Sequence, residues 1–130
     1  MRRIKLKKAF LLLSLLLFSC ATNVDLNRVR GIRGKYYPHI ENNDVIFSIY
    51  APDATIVSIA GNFNGWNPQV NEMKKNDNGV WSIALPFKPG KAYYYKFVVD
   101  GYWVADPDNP NTVPDGFGGK NSVFKMEERK

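Results

Sequence analysis

Cysteine and histidine are almost missing from this chain, which has one of each, Cys20 and His39, in 130 residues. A single cysteine excludes an internal disulfide. A single histidine leaves a histidine-based metal site or a His general base without the second partner it needs. Long apolar runs are missing too. The longest, Ala9 to Phe18, is broken by Ser14, and as a helix it would span about 15 Å, roughly half of a ~30 Å hydrocarbon core. Net charge is scarce once its placement is considered. Lys and Arg number 18 against 12 Asp and Glu, but Arg2, Arg3, Lys5, Lys7 and Lys8 all precede Cys20, leaving 13 against 12 in the rest. That remainder has no cationic face on which nucleic acid could bind. No stretch after Cys20 carries a convincing helical period, so an all-β domain is expected.

The leader is the first positive feature. Five cations followed by a short apolar run make a signal peptide, rather than a membrane span or a core helix. Leu17 is bulky for ordinary signal peptidase cleavage before Cys20, and Leu17-Phe18-Ser19-Cys20 resembles a bacterial lipobox, in which the Cys thiol receives diacylglycerol. Phe18 departs from the small residue usual at its position. The alternative is an incidental Cys at the end of a signal sequence. On this reading residues 1–19 are a lipoprotein signal peptide, 20–39 a lipid-anchored tether and 40–130 the domain. The tether reading rests on Arg28, Arg30, Arg33 and Lys35 with Gly31 and Gly34 in a weakly apolar stretch. Acyl chains add ~0.8 kcal/mol per buried CH₂, so a diacylated Cys20 would hold the protein on a membrane. The expected location is the bacterial cell envelope, with Ala21 favouring the outer membrane or cell surface over the inner membrane.

The rest reads as short strands between turns. Val45 to Tyr50 is stopped by Ala51-Pro52-Asp53. Thr55 to Ala60 follows, then a loop from Asn62 to Pro68 and a weak edge strand from Gln69 to Lys75. Asn76-Asp77-Asn78-Gly79 is a hairpin turn into Val80 to Leu85, and Pro86 to Gly90 turns the chain again. Lys91 to Val99 is the longest strand, and Asp100-Gly101 makes a two-residue turn into Tyr102 to Ala105. A Pro- and Asn-rich loop runs from Asp106 to about Gly119, and Asn121 to Met126 closes the sheet. Seven or eight such strands predict a β-sandwich. Strand parity puts Trp81, Ile83 and Leu85 on one face of their strand. It sends Tyr93, Tyr95, Phe97 and Val99 to the core, which leaves Lys96 on the outer face.

Two segments carry the functional argument: Gly61-Asn62-Phe63-Asn64-Gly65-Trp66, and Tyr93 through Lys96-Phe97 to Asp100-Gly101-Tyr102-Trp103. Trp81 lies mid-strand and belongs to the core. Trp66 lies in a loop and Trp103 just past a tight turn, where large rings are hard to bury. Each could instead fold back on the protein, Trp66 as a lid and Trp103 across its partner strand. With Asp106-Pro107 and Phe117-Gly118-Gly119-Lys120-Asn121 in the same order, the stretch from about Val45 to Met126 resembles the glycogen-binding domain of AMP-activated kinase β subunits. That domain is close to the family 48 carbohydrate-binding module of isoamylases and glucan-branching enzymes. The resemblance implies an immunoglobulin-like, early-set β-sandwich. It also implies that Trp66 and Trp103 stack on glucose units, that Lys96 and Asn121 bond sugar hydroxyls, and that Phe117 arches through the curved glucan. Gly119 replaces the family's hydroxyl residue, leaving one hydrogen bond missing and Lys120 as a substitute donor.

Leader and domain together predict a non-catalytic, membrane-anchored binder of α-1,4-glucan (glycogen, starch or malto-oligosaccharide). No metal or other cofactor is expected, and a glucan-active enzyme is a further expected partner. Asp106-Pro107-Asp108-Asn109 reads as a turn rather than a calcium loop, because prolines interrupt it and the Gly and terminal Glu of such a loop are absent. Paired carboxylates for glycoside hydrolysis need a cleft, and 111 residues after the leader leave little room for one. The competing expectation is an immunoglobulin-like interaction or structural module that has lost its sugar.

Overall fold

The computed structural model describes residues 33–128. The signal peptide, Cys20 and the tether as far as residue 32 lie outside these residues. Among the described residues nine strands run in order: β1 (His39–Glu41), β2 (Asp44–Tyr50), β3 (Val57–Gly61), β4 (Lys74–Lys75), β5 (Val80–Pro86), β6 (Ala92–Val99), β7 (Tyr102–Val104), β8 (Thr112–Pro114) and β9 (Lys120–Lys125). They form two antiparallel sheets, one ordered β1-β2-β5-β4 and the other β3-β6-β9-β8, with β7 also paired to β6. The architecture is the expected immunoglobulin-like β-sandwich.

Alternation built it. Val45, Phe47 and Ile49 of β2 face Ile59 of β3 and Tyr95 and Phe97 of β6 across one buried cluster, joined by Trp81 and Phe124. Phe47 packs edge-on to Tyr95 with ring centroids 4.8 Å apart. Trp81 is buried as expected, and its indole N–H donates to the Ala51 carbonyl at 2.9 Å, which removes the cost of hiding a polar atom.

Two strands were illegible in the sequence. All three residues of β1 are exposed, so no apolar alternation marks it. It forms because Asn42 and Asn43 take φ of 50° and 70°, closing a two-residue hairpin onto β2. β8 lies inside the loop expected from Asp106 to Gly119. It is a sheet edge, where Pro114 is tolerated because that flank needs no donor. The expected edge strand from Gln69 to Lys75 shrinks to Lys74–Lys75. Just before it the chain runs along β3, with Ile59 N–H donating to Asn71 and Met73 N–H to Val57, and then passes to the other sheet.

The tether gives up its last residues to the domain. It was expected to reach residue 39. Instead the N–H of Gly34 donates to the Asp108 carbonyl at 2.8 Å and that of Tyr36 to the Asp108 carboxylate at 3.1 Å. Pro38 is fully buried, and Tyr37 packs on Phe124. The polar composition that suggested a linker hides two aromatic residues and a proline that fill this flank of the sandwich. His39 belongs to β1 and bonds Glu41 at 3.0 Å.

Candidate functional site

The central strand β6 organises the site. β3 occupies one of its edges from Tyr95 to Val99. β9 takes the other edge from Ala92 to Tyr95, and β7 takes it from Phe97 to Val99. Lys96 therefore sits where the two neighbours on that edge change over. Register puts Ala60 opposite Lys96, Trp103 opposite Val98, and Tyr94 opposite Val123, which shares the parity of Asn121. Opposed residues share a face. Lys96, Trp103 and Asn121 thus project from the outer face of this sheet, as parity required for Lys96.

Trp66 arrives from the loop after β3. It has φ of 58° and follows Gly65 at 67°, an unusual left-handed conformation for an aromatic residue. Asn64 compensates the strain. Its side-chain oxygen accepts from Gly61 N–H at 3.0 Å, and its amide donates to the Ile59 carbonyl at 3.0 Å and to Asn71 at 2.8 Å. The Trp66 N–H closes the turn on the Gly61 carbonyl at 2.9 Å. Backbone strain held by a surrounding network is common where a side chain must be presented.

Trp103 is held by its hairpin. Asp100 and Gly101 have φ of 49° and 86°, the expected two-residue turn. The Asp100 carboxylate accepts from the N–H groups of Thr55 and Ile56, each at 2.9 Å, pinning the hairpin to the chain entering β3. Trp103 is 47% exposed and Trp66 half-buried. Neither Trp has folded into the core.

The last part of the site is the loop between β8 and β9. Phe117 is 95% exposed, between Gly116 and Gly118 at φ of 84° and 87°. Asp115 shapes this loop: its Oδ1 accepts from Phe117 N–H at 2.7 Å and from Gly119 N–H at 3.0 Å, while its Oδ2 accepts from Lys96 Nζ at 2.7 Å. The hydrogen bond from Lys96, with those from the backbone, holds this carboxyl at about 2, below the ordinary 3.8. Beneath the loop a buried network fixes where it starts. Tyr95 hydroxyl donates to Asp106 Oδ2 at 2.6 Å, Asn109 donates to Tyr95, and Asp106 N–H donates to Ser122 Oγ. Burial pushes the Asp106 carboxyl up to about 6 despite the Tyr95 hydrogen bond, and burial likewise raises the Tyr95 hydroxyl. Residues 106–109 form the expected turn, closed by Asn109 N–H on the Asp106 carbonyl.

Trp66, Lys96, Trp103, Phe117 and Asn121 all line one cavity of about 360 Å³, and Asp115 is the sixth wall residue. The residues expected to stack, to arch through the glucan and to bond its hydroxyls thus meet there. Lys120 does not: it alternates with Asn121 and points to the other face of β9. Asp115 was missed. Its signal was local, an Asp with backbone N–H groups two and four residues on in a Gly-rich turn, where a carboxylate caps its own loop. Three rings with no ring partner among the described residues, one ammonium group and one amide surround a space open to solvent. Such a set can stack on apolar ring faces and bond hydroxyls.

The family model described as carbohydrate-binding module 48 (isoamylase N-terminal domain) matches residues 35–114. The chain belongs to this family. As a member it is a carbohydrate-binding module, and modules of this family bind without catalysing. Protein PTST homolog 2, chloroplastic, of Arabidopsis thaliana is 42% identical over 69 residues, covering 53% of this chain and 13% of that protein. The 1,4-alpha-glucan branching enzyme GlgB of Trichodesmium erythraeum is 38% identical over 72 residues, 55% of this chain and 8% of the enzyme. Protein FLOURY ENDOSPERM 6, chloroplastic, of Oryza sativa is 35% identical over 71 residues, 55% of this chain and 13% of that protein. The match thus spans at most 13% of the length of these curated relatives. The family match also stops one residue short of Asp115, so half of the cavity wall lies beyond it.

Proposed function

We propose that this module binds α-1,4-glucan, with glucose units stacking on Trp66 and Trp103, hydroxyls bonding Lys96 and Asn121, and Phe117 entering the curve of the chain. The observation that carries the proposal is the convergence of these five residues, drawn from four separate segments, on one cavity. An α-1,4 chain is bent and amphipathic, with C–H faces for stacking and hydroxyls at its rim. A relative named as a 1,4-alpha-glucan branching enzyme agrees with that ligand.

Magnitudes keep the binding weak. Two rings that each remove roughly 50–80 Å² of apolar surface from water gain about 2.5–4 kcal/mol. A few solvent-competed hydrogen bonds add ~0.5–1.5 kcal/mol each. Set against association entropy, this gives a Kd from tens of micromolar to millimolar. Copies sharing one surface would gain avidity on a single polymer.

The same proposal includes a diacylated Cys20 that holds the module on the bacterial envelope, at the outer membrane or cell surface, where a glucan-active enzyme is a fitting partner. It rests on the leader sequence. Cys20→Ser is expected to release the protein to the soluble fraction or leave the precursor unprocessed, and a processed protein with an unchanged membrane fraction would count against it.

Affinity electrophoresis in glycogen tests the binding. Retardation that disappears in Trp66→Ala and Trp103→Ala supports the reading. A parent protein that is not retarded rejects it in favour of a module docking a partner protein.

A further inference from the structure

One wall residue has no task in the glucan reading on which this inference rests. Asp115 lines the cavity beside the rings, yet neither stacking nor the Lys96 and Asn121 donors require a carboxylate there. Its side chain and that of Lys96 are only 11% and 16% exposed, with Nζ and Oδ2 2.7 Å apart. Gly119 makes this possible. A Cβ at position 119 would stand 2.6 Å from Asp115 Oδ2 and 3.5 Å from Lys96 Nζ. A side chain at 119 and the Asp115–Lys96 pair therefore compete for one space, and this chain has the pair.

The pairing limits what Asp115 can do directly. A carboxylate offers about four lone-pair sites, and three are taken by Lys96, Phe117 N–H and Gly119 N–H. Little is left for a sugar hydroxyl. Lys96 keeps two of its three ammonium donors. What Asp115 contributes is orientation of that ammonium group, closure of the loop that carries Phe117, and a negative charge. With Asp115 in place the six wall residues carry no net charge. Without it they would present an uncompensated cation to the ligand, and an anionic sugar would be drawn in.

We propose that Asp115 is a positioning and specificity-determining residue: by pairing with Lys96 in the space left by Gly119, it sets the cavity for uncharged α-glucan and against α-glucan bearing carboxylates.

The test compares two ligands by calorimetry on the full chain in detergent. One is maltoheptaose; the other is the α-1,4-linked heptamer of glucuronic acid, the same chain with each primary alcohol oxidised to a carboxylate. The parent protein is expected to prefer maltoheptaose. Asp115→Asn keeps one acceptor oxygen for the loop N–H groups and removes both the charge and the acceptor for Lys96, because its amide NH2 cannot accept from an ammonium. It is expected to narrow that preference roughly tenfold at low ionic strength, the order a unit charge at close range supplies, with the change fading in high salt. Gly119→Ser, which pushes the carboxylate off Lys96, should shift the ratio in the same direction.

A merely structural role would weaken both ligands together. A ratio unchanged in both variants overturns the proposal while leaving the glucan reading intact. A parent protein that binds neither ligand removes the glucan reading, and this inference falls with it.

Discussion

Two aromatic-lined hollows among the described residues differ in what their groups are free to do. The second, of about 440 Å³, is lined by Phe63, Phe87, Tyr93, Asn64, Asn71 and Lys88 among others. There the rings use each other: Phe87 and Tyr93 stack at 3.8 Å and 17°, and Phe63 leans on Phe87 at 5.0 Å. Two of its polar side chains are committed as well, although the Lys88 and Lys91 ammonium groups are not, among the described residues. Asn64 is bonded on both sides of its amide, and the Tyr93 hydroxyl accepts from Lys88 N–H at 2.9 Å. In the first hollow Trp66, Trp103 and Phe117 have no ring partner among the described residues, and the Asn121 side chain has no hydrogen bond among them. Aromatic content and volume therefore do not distinguish the two. Uncommitted ring faces do, because only these can be covered by a ligand without breaking a contact in the protein.

Substitutions should separate the two hollows. The largest effect is expected for Phe87→Ala, which removes the middle ring of the Phe63–Phe87–Tyr93 cluster and costs roughly 2–4 kcal/mol of stability, a little under the cost for a fully buried Phe. Thermal unfolding should show a loss of about ten degrees or more, while the folded fraction keeps its retardation in glycogen. Trp66→Ala and Trp103→Ala should do the reverse. Each should weaken glucan binding by about 1–2 kcal/mol, the stacking area lost, with little change in unfolding temperature. A large fall in stability for either Trp would place it with the packing rings.

Asn64→Ala tests the link between the hollows. Asn64 lines the second, but its bonds hold Trp66 in its left-handed turn. The substitution should cost about 1–2 kcal/mol of stability and weaken binding severalfold. Loss of stability with unchanged binding would show that the Trp66 loop holds itself.

Two carboxylates give a contrast in pH. Asp106 sits at about 6 when folded against 3.8 in its ordinary state, so the folded protein binds the proton more tightly. Its contribution is present in full below about 4 and is lost as pH rises through 6. Relative to Asp106→Asn, the parent should gain about 1–2 kcal/mol of stability on going from about pH 7 to about pH 4.5, since each pKa unit is worth ~1.4 kcal/mol. Asp115 is shifted the other way, to about 2, so its contribution is present above about 4 and is lost only as pH falls through 2. The smallest effect is on binding: glucan affinity should not vary between about pH 5 and 8, where the Asp115 carboxylate stays charged. A midpoint near 6 in binding would mean that the Asp106 network reaches the site.

Much of this was legible along the chain, for specific reasons. Trp81, Tyr95 and Phe97 fall on the buried parity of long alternating strands, and Asp100-Gly101 and Asn76 to Gly79 are turns with a local cause. Trp66 and Trp103 stood out because each lies just past a turn. Illegible were the elements that exist only because something else is there. β1 is an exposed tripeptide that pairs only because β2 lies beside it, and β8 is an edge strand inside a proline-rich loop. Residues 33–38 read as linker until Asp108 and Phe124 received them.

Alternation, turn chemistry and the position of two indoles are properties of neighbours in the chain, so the fold class and the candidate stacking residues could be read from the sequence alone. The pairing of Asp115 with Lys96 joins residues nineteen positions apart. It depends on β7 and β9 sharing one edge of β6 and on Gly119 leaving a side chain's worth of space. Charge balance in the cavity is therefore a consequence of register and packing, which no local pattern encodes.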